Sequence, residues 1–156
     1  MQRFGSATVL GAALAVAAPA GAQAPAAMPD SMRAVVAAAL TWTDLSVPGF
    51  APGTKMALVQ GNPAAGSYTL RLSFPDGYKF PAHWHPNAEN ITVLSGSFQL
   101  GMGGREDASS LKTYGPGDYL YIPGKMPHFG GARGITVVQL HGEGPFAINL
   151  AEPTRP

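Results

Sequence analysis

Glycine and proline cut this chain into short pieces, and no other feature narrows the possible folds as much. The sequence holds 20 glycines and 15 prolines among 156 residues. Proline breaks helix interiors and central strand ladders, and glycine weakens both, so long helices are excluded where the two recur every few residues. Between the breaks lie runs with strand character. Lys55–Gln60 reads as a strand that ends in the turn GNPAAG. Ser67–Phe74 alternates, with Tyr68, Leu70, Leu72 and Phe74 on one face and Thr69, Arg71 and Ser73 on the other. Asn90–Leu94, Ser97–Met102, Tyr119–Ile122 and Ile135–His141 follow, with a weaker strand over Phe146–Leu150. Short strands at regular spacing predict an all-β sandwich or antiparallel barrel. No helical periodicity long enough for an α/β fold is visible, and no internal repeat is clear.

The first 24 residues have a different character. Gln2 and Arg3 give a short positive start, an apolar run extends from Ala7 to Pro19, and Ala22-Gln23-Ala24 fits a signal-peptidase site. The run falls short of the ~20 apolar residues that span a bilayer. The expectation is a signal peptide over residues 1–24, cut after Ala24, and export to the periplasm or medium. Residues 25–54 then form an N-terminal arm, with a short helix over Met32–Leu40 capped by Asp30 or Ser31. The barrel takes residues 55–150 and a tail takes 151–156. Met32, Val35, Val36, Leu40, Trp42 and Phe50 lie in the arm and need cover, from their own barrel or a second subunit.

Charge and cysteine usage remove several functions. The 10 basic and 9 acidic residues become nine and nine once Arg3 leaves, and no basic cluster occurs. Nucleic acid and membrane surfaces are therefore not expected partners. With no cysteine, any metal site must use N and O donors or a weak methionine thioether.

Such donors are concentrated in GYKFPAHWHPNAENITVLSG, residues 77–96. On an extended strand His83 and His85 point to one side, and Trp84 to the other. Pro86-Asn87-Ala88 can turn the chain and return Glu89 to the pair. Two imidazoles and a carboxylate suit Fe, Mn, Co, Ni or Zn. A fourth ligand should come from another strand, and His128, held by the preceding PGKMP turn, is the candidate.

The spacing G-x5-H-x-H-x3-E-x6-G, from Gly77 through His83, His85 and Glu89 to Gly96, resembles the first motif of the cupin superfamily. G-x5-P-x4-H, from Gly117 through Pro123 to His128, resembles the second, and 20 residues separate the two. The resemblance spans about Lys55–Leu150. The second motif departs from the family at two positions: Lys125 replaces a glycine, with Gly124 beside it the candidate to take over the turn, and Ala132 replaces an asparagine. What the resemblance implies is a jelly-roll barrel, a double-stranded β-helix, with one divalent transition metal (Fe, Mn, Ni, Zn or Cu) held inside by His83, His85, Glu89 and His128. It also implies a homodimer, since arms in this superfamily often pack on a neighbouring subunit.

Function is expected to be metal-dependent chemistry on a small-molecule substrate. A dioxygenase-type oxidoreductase leads, followed by an isomerase or lyase, and then by a non-catalytic periplasmic binder of a metal or small molecule. Glu89 could also handle a proton. Gln139 and His141 share one face of their strand, which could line a pocket, His141 then orienting substrate or acting as a base, or could face solvent. Arg71 could pair with a substrate carboxylate or sit on the surface. Tyr121, with Tyr119, could line the cavity or pack between sheets.

Overall fold

The computed structural model describes residues 32–151. The expected signal peptide, the capping residues Asp30 and Ser31, and tail residues 152–156 lie outside the described residues. Nine strands follow in chain order: β1 (Thr43–Asp44), β2 (Lys55–Gly61), β3 (Ser67–Phe74), β4 (Lys79–Trp84), β5 (Glu89–Met102), β6 (Lys112–Tyr114), β7 (Tyr119–Ile122), β8 (His128–Glu143) and β9 (Asn149–Leu150). Of the helix expected over Met32–Leu40, only a single 3-10 turn forms, at Ala37–Ala39. An isolated helix so short is marginal in water, and no side chain of this turn is buried to support it. Among the described residues no helix is long and apolar enough to cross a membrane.

β5 and β8 carry the topology. They pair antiparallel from Asn90↔His141 to Met102↔His128, and each serves two sheets. The C-terminal half of β8 pairs with β3, and the N-terminal half of β5 with β7, giving the order β1-β2-β3-β8-β5-β7. The N-terminal half of β8 pairs with β4, and the C-terminal half of β5 with β6, giving β9-β4-β8-β5-β6. The chain thus folds as the double-stranded β-helix of the cupin barrel, with both sheets built on one long strand pair.

That pair turns its corner at two glycines. Gly96 and Gly134 have φ of 77° and 68°, in the left-handed region that favours glycine. The register shifts here, between Val93 and Ser97. Asn90–Leu94 and Ser97–Met102, expected as separate strands, are therefore one strand bent at Gly96. Thr136 fixes the corner: it is fully buried, its Oγ1 accepts the Ser97 N–H at 3.1 Å and donates to the Gly134 carbonyl at 3.1 Å. The core lies between the sheets and follows the two-residue alternation, with Leu70, Val93 and Val138 at or near zero exposure. Each such side chain contributes roughly 1.5–3 kcal/mol by leaving water. From the arm, Leu45 and Phe50 pack against this core, while Met32 and Val36 stay exposed.

The corner separates two glycine effects. A Cβ on Gly96 would stand 2.5 Å from the Ile135 carbonyl, whereas one on Gly134 would meet nothing within 4 Å. Gly134→Ala is expected to cost about 1–2 kcal/mol through backbone strain alone. Gly96→Ala adds a clash and should cost about 3 kcal/mol or more. Urea unfolding of the two variants checks the order.

Candidate metal centre

A bulge in β4 sets the first histidine. The register with β8 shifts between Phe80 and His83, so both side chains face inward although three positions apart. Pro81 sits in the bulge, where its missing N–H breaks no ladder bond, and its carbonyl accepts the His83 Nδ1–H at 2.8 Å. His85 lies just past β4. Its ring stacks on Phe146 with centroids 5.3 Å apart, and its Nδ1 donates to the Ala147 carbonyl at 2.9 Å. His128 opens β8 opposite His83 and donates Nδ1–H to the Met126 carbonyl at 3.0 Å.

A carbonyl can only accept, so all three rings must carry their proton on Nδ1. Every Nε2 is then left with a free lone pair. The three histidines are buried, and their donor atoms lie within 4.8 Å of one another, a cluster that could hold a metal ion. Glu89 opens β5 in the opposite sheet, with Oε2 3.3 Å from His85 Nε2 and 3.5 Å from His128 Nε2. Two donors each about 2.1 Å from one ion stand about 3.0–3.4 Å apart at octahedral or tetrahedral angles, so the spacing fits a shared cation. The backbone carbonyls behind the rings are the orientation that metal-ligating histidines need.

The turn before His128 departs from expectation. Gly124 does not supply the left-handed residue; Lys125 does, at φ 63°, and its N–H donates to the His85 carbonyl at 2.7 Å. Gly124 serves close approach instead, since a Cβ there would sit 2.8 Å from the Pro86 carbonyl. The other departure, Ala132, is buried in the core, its N–H bonded to the Tyr78 carbonyl.

Electrostatics prepares the site for a cation. Burial, helped by the neighbouring His128, lowers the His83 pKa to about 3, and burial with His128 lowers that of His85 to about 4; burial also lowers His128. All three rings are therefore neutral near pH 7. Burial raises Glu89 to about 8, so without a cation its proton is hard to remove.

A narrow cavity of about 50 Å³ opens on these four residues. At the ~30 Å³ each water takes in the liquid, that is room for one or two waters. Its wall is apolar: Phe74, Phe80 and Phe98 from the sheets, Leu45 and Phe50 from the arm, and Phe146 before β9. Phe50 meets the His83 ring edge-on at 5.2 Å. None of Arg71, Gln139, His141 and Tyr121, each read from the sequence as either lining a pocket or facing away from one, lines this cavity. Val138 and Leu140 fill the inward face of β8, and the alternation turns Gln139 and His141 outward. Gln139 accepts from Arg71 Nε at 3.1 Å across the β3–β8 pair, His141 is exposed, and Tyr121 is 60% exposed on β7. Thr54, Tyr78 and the arm residues were missed as lining. Tyr78 lies inside the first motif but at none of its fixed positions; Thr54 and the arm residues precede the motifs, and only the apolar content of the arm hinted at them.

Two outcomes follow. In the metal-free protein, histidines with lowered pKa keep their stability contribution above pH 6.5 and lose it as pH falls toward 4 and 3, while Glu89, raised, loses its contribution as pH rises from 4.5 to 8. Metal-free Glu89→Gln should melt above wild type at pH 8, with the difference shrinking toward pH 4.5. Lys125→Gly should raise stability by about 1 kcal/mol by relieving the left-handed strain, measured by denaturant unfolding.

Residues 30–147 match the family described as ChrR Cupin-like domain. No curated protein matches in sequence. Among solved structures, a provisionally assigned acetylacetone dioxygenase from Methylibium petroleiphilum PM1 is 18% identical, covers 79% of this chain and 83% of its own, and superposes with a TM-score of 0.61. The polyketide cyclase RemF from Streptomyces resistomycificus gives 21% identity, 80% and 88% coverage and a TM-score of 0.61. The DMSP lyase DddQ from Ruegeria pomeroyi DSS-3 gives 22%, 76%, 64% and 0.55. At these identities the likeness shows the barrel. The family match spans most of the chain, and the chain belongs to the ChrR cupin-like family.

Proposed function

We propose that this protein is a metal-dependent enzyme of the dioxygenase type, acting on a small organic molecule in the cavity beside His83, His85, Glu89 and His128. The observation that carries this reading is what the cavity lacks. Apart from those four residues, the only titratable group in its wall among the described residues is Tyr78, whose hydroxyl donates to the Ala51 carbonyl at 2.7 Å. An isomerase or lyase needs a positioned acid or base to move protons. Here Glu89, itself in the metal set, is the one group among the described residues free to do so, which favours chemistry centred on the metal. A bound Fe, Mn or Cu ion would supply activation of oxygen toward an organic ligand; Ni or Zn would supply Lewis acidity. The chain's own part is to hold three neutral imidazoles and one carboxylate and to keep water out with aromatic walls. The structural neighbours, a provisionally assigned dioxygenase, a cyclase and a lyase, are in keeping with a small-molecule enzyme.

A second reading, a non-catalytic binder, draws on the same apolar lining, because Phe50 and Phe146 flank the site and no polar wall faces it. Export to the periplasm and a homodimer built through the exposed arm remain part of the proposal, resting on the N-terminal sequence and on Met32 and Val36.

Metal analysis of purified protein should find about one transition ion per chain, and His83→Ala, His85→Ala and His128→Ala should each lower occupancy at least tenfold, as loss of a ligand requires. Iron-, manganese- or copper-loaded protein should consume oxygen with a small oxygenated organic compound. Metal retained at full occupancy in His128→Ala would refute the ligand set, and full occupancy without any turnover would favour the binder.

A further inference from the structure

The cavity as it stands is too small for an organic molecule. Its volume of about 50 Å³ holds one or two waters, whereas pockets that seat organic ligands run to roughly 300–1,000 Å³. Part of the wall must therefore move before a small molecule can reach the histidines. The hydrogen bonds show which part is free to.

Most of the wall is tied down. Phe74, Phe80, Ile91, Phe98, Val138 and Leu140 lie in paired strands. The Phe146 N–H donates to the Pro63 carbonyl at 2.7 Å, and the Ala147 carbonyl accepts from His85 at 2.9 Å. The segment Ser46–Phe50 differs. Among the described residues, none of its backbone N–H or C=O groups bonds outside the segment. Its one bond is internal: the Phe50 N–H donates to the Val47 carbonyl at 3.0 Å across Pro48-Gly49. With Gly49 at φ 83°, this is a type II turn, which keeps the tip rigid. Both flanks are pinned. The Leu45 N–H donates to the Thr54 carbonyl at 2.8 Å, and the Ala51 carbonyl accepts from the Tyr78 hydroxyl at 2.7 Å. Between those pins only side chains hold the segment in place. Val47 and Phe50 enter the cavity wall, and Phe50 meets the His83 ring edge-on at 5.2 Å. At the tip the Leu150 side chain rests on Gly49, where an added Cβ would stand 2.7 Å from Leu150 Cδ1. Apolar contacts without backbone bonds to the barrel are the make-up of a segment that opens locally at small cost.

We propose that Ser46–Phe50 is a lid over the metal centre. It swings out as one piece about its pinned ends, withdraws Val47 and Phe50 from the cavity, and admits the substrate to the histidines. The inference rests on the small-molecule reading above and adds how the molecule enters. Closure behind the substrate restores the apolar wall and excludes water.

The test uses metal-free protein and diethyl pyrocarbonate, which acylates a neutral imidazole at its free nitrogen and is too large for the closed cavity. The chain has four histidines, and exposed His141 is the internal reference for buried His83, His85 and His128. Peptide mass spectrometry follows modification at each. In wild type the buried three should react measurably, but about tenfold or more slowly than His141. Phe50→Ala and Leu150→Ala should each speed them about 3- to 10-fold, with His141 unchanged, because each removes an apolar contact from the closed state alone. Leu150 does not line the cavity and is half exposed, so acceleration there reports the lid and not a wider cavity. Gly134→Ala strains the β8 corner and controls for global unfolding; it should leave the rate at the wild-type value. Buried histidines as reactive as His141 in wild type, no acceleration in Leu150→Ala, or equal acceleration in Gly134→Ala overturns the lid. Zinc added beforehand should protect the three histidines in every variant, since it occupies their free nitrogens. Failure to protect would sink the metal reading and leave the lid standing.

Discussion

Three backbone carbonyls, those of Pro81, Met126 and Ala147, hold the site together. Each accepts an Nδ1–H from one histidine and so turns that ring's Nε2 to a common point. Without those bonds the rings would be free to choose tautomers, and a buried imidazole with an unmet N–H is costly. Two of the three carbonyls lie two residues before the histidine they orient. The site is therefore written locally into the turns PAH and MPH, and the barrel's task is to bring the turns together.

The barrel does this through β5 and β8. The long pair bends at Gly96 and Gly134, and its two ends then present Glu89 from one sheet and His128 from the other. The β4–β8 register places His83 opposite His128, and Lys125 ties the turn before His128 to the His85 carbonyl. Lys125 holds a left-handed conformation that glycine would adopt with less strain. Strain of this kind persists where the surrounding bonds over-determine the backbone.

The cluster of three histidines, with Glu89 beside it, was legible in the sequence because it is local and periodic. His83 and His85 share a strand side, Glu89 returns after a turn, and His128 follows a rigid one. The strand succession was legible for the same reason. Three things were not. The bulge that points both Phe80 and His83 inward is a property of pairing with β8, which the sequence of β4 does not contain. The alternation showed that Gln139 and His141 share a face, but the apolar partners Val138 and Leu140 make that face the outer one. Thr54 lies outside both motifs, and only its burial in the folded chain reveals its unmet hydroxyl. The helix over Met32–Leu40 failed because composition favours helix only weakly when nothing packs against it.

The central claim is that three imidazoles and one carboxylate converge on a single ion. X-ray absorption fine structure of the purified, metal-bearing protein measures it most directly. The account predicts a first shell of N and O scatterers at about 2.0–2.2 Å, with outer-shell multiple scattering that fits three imidazoles, and two imidazoles in His128→Ala. A first shell with fewer than three imidazoles in wild type, or one unchanged in His128→Ala, would contradict it.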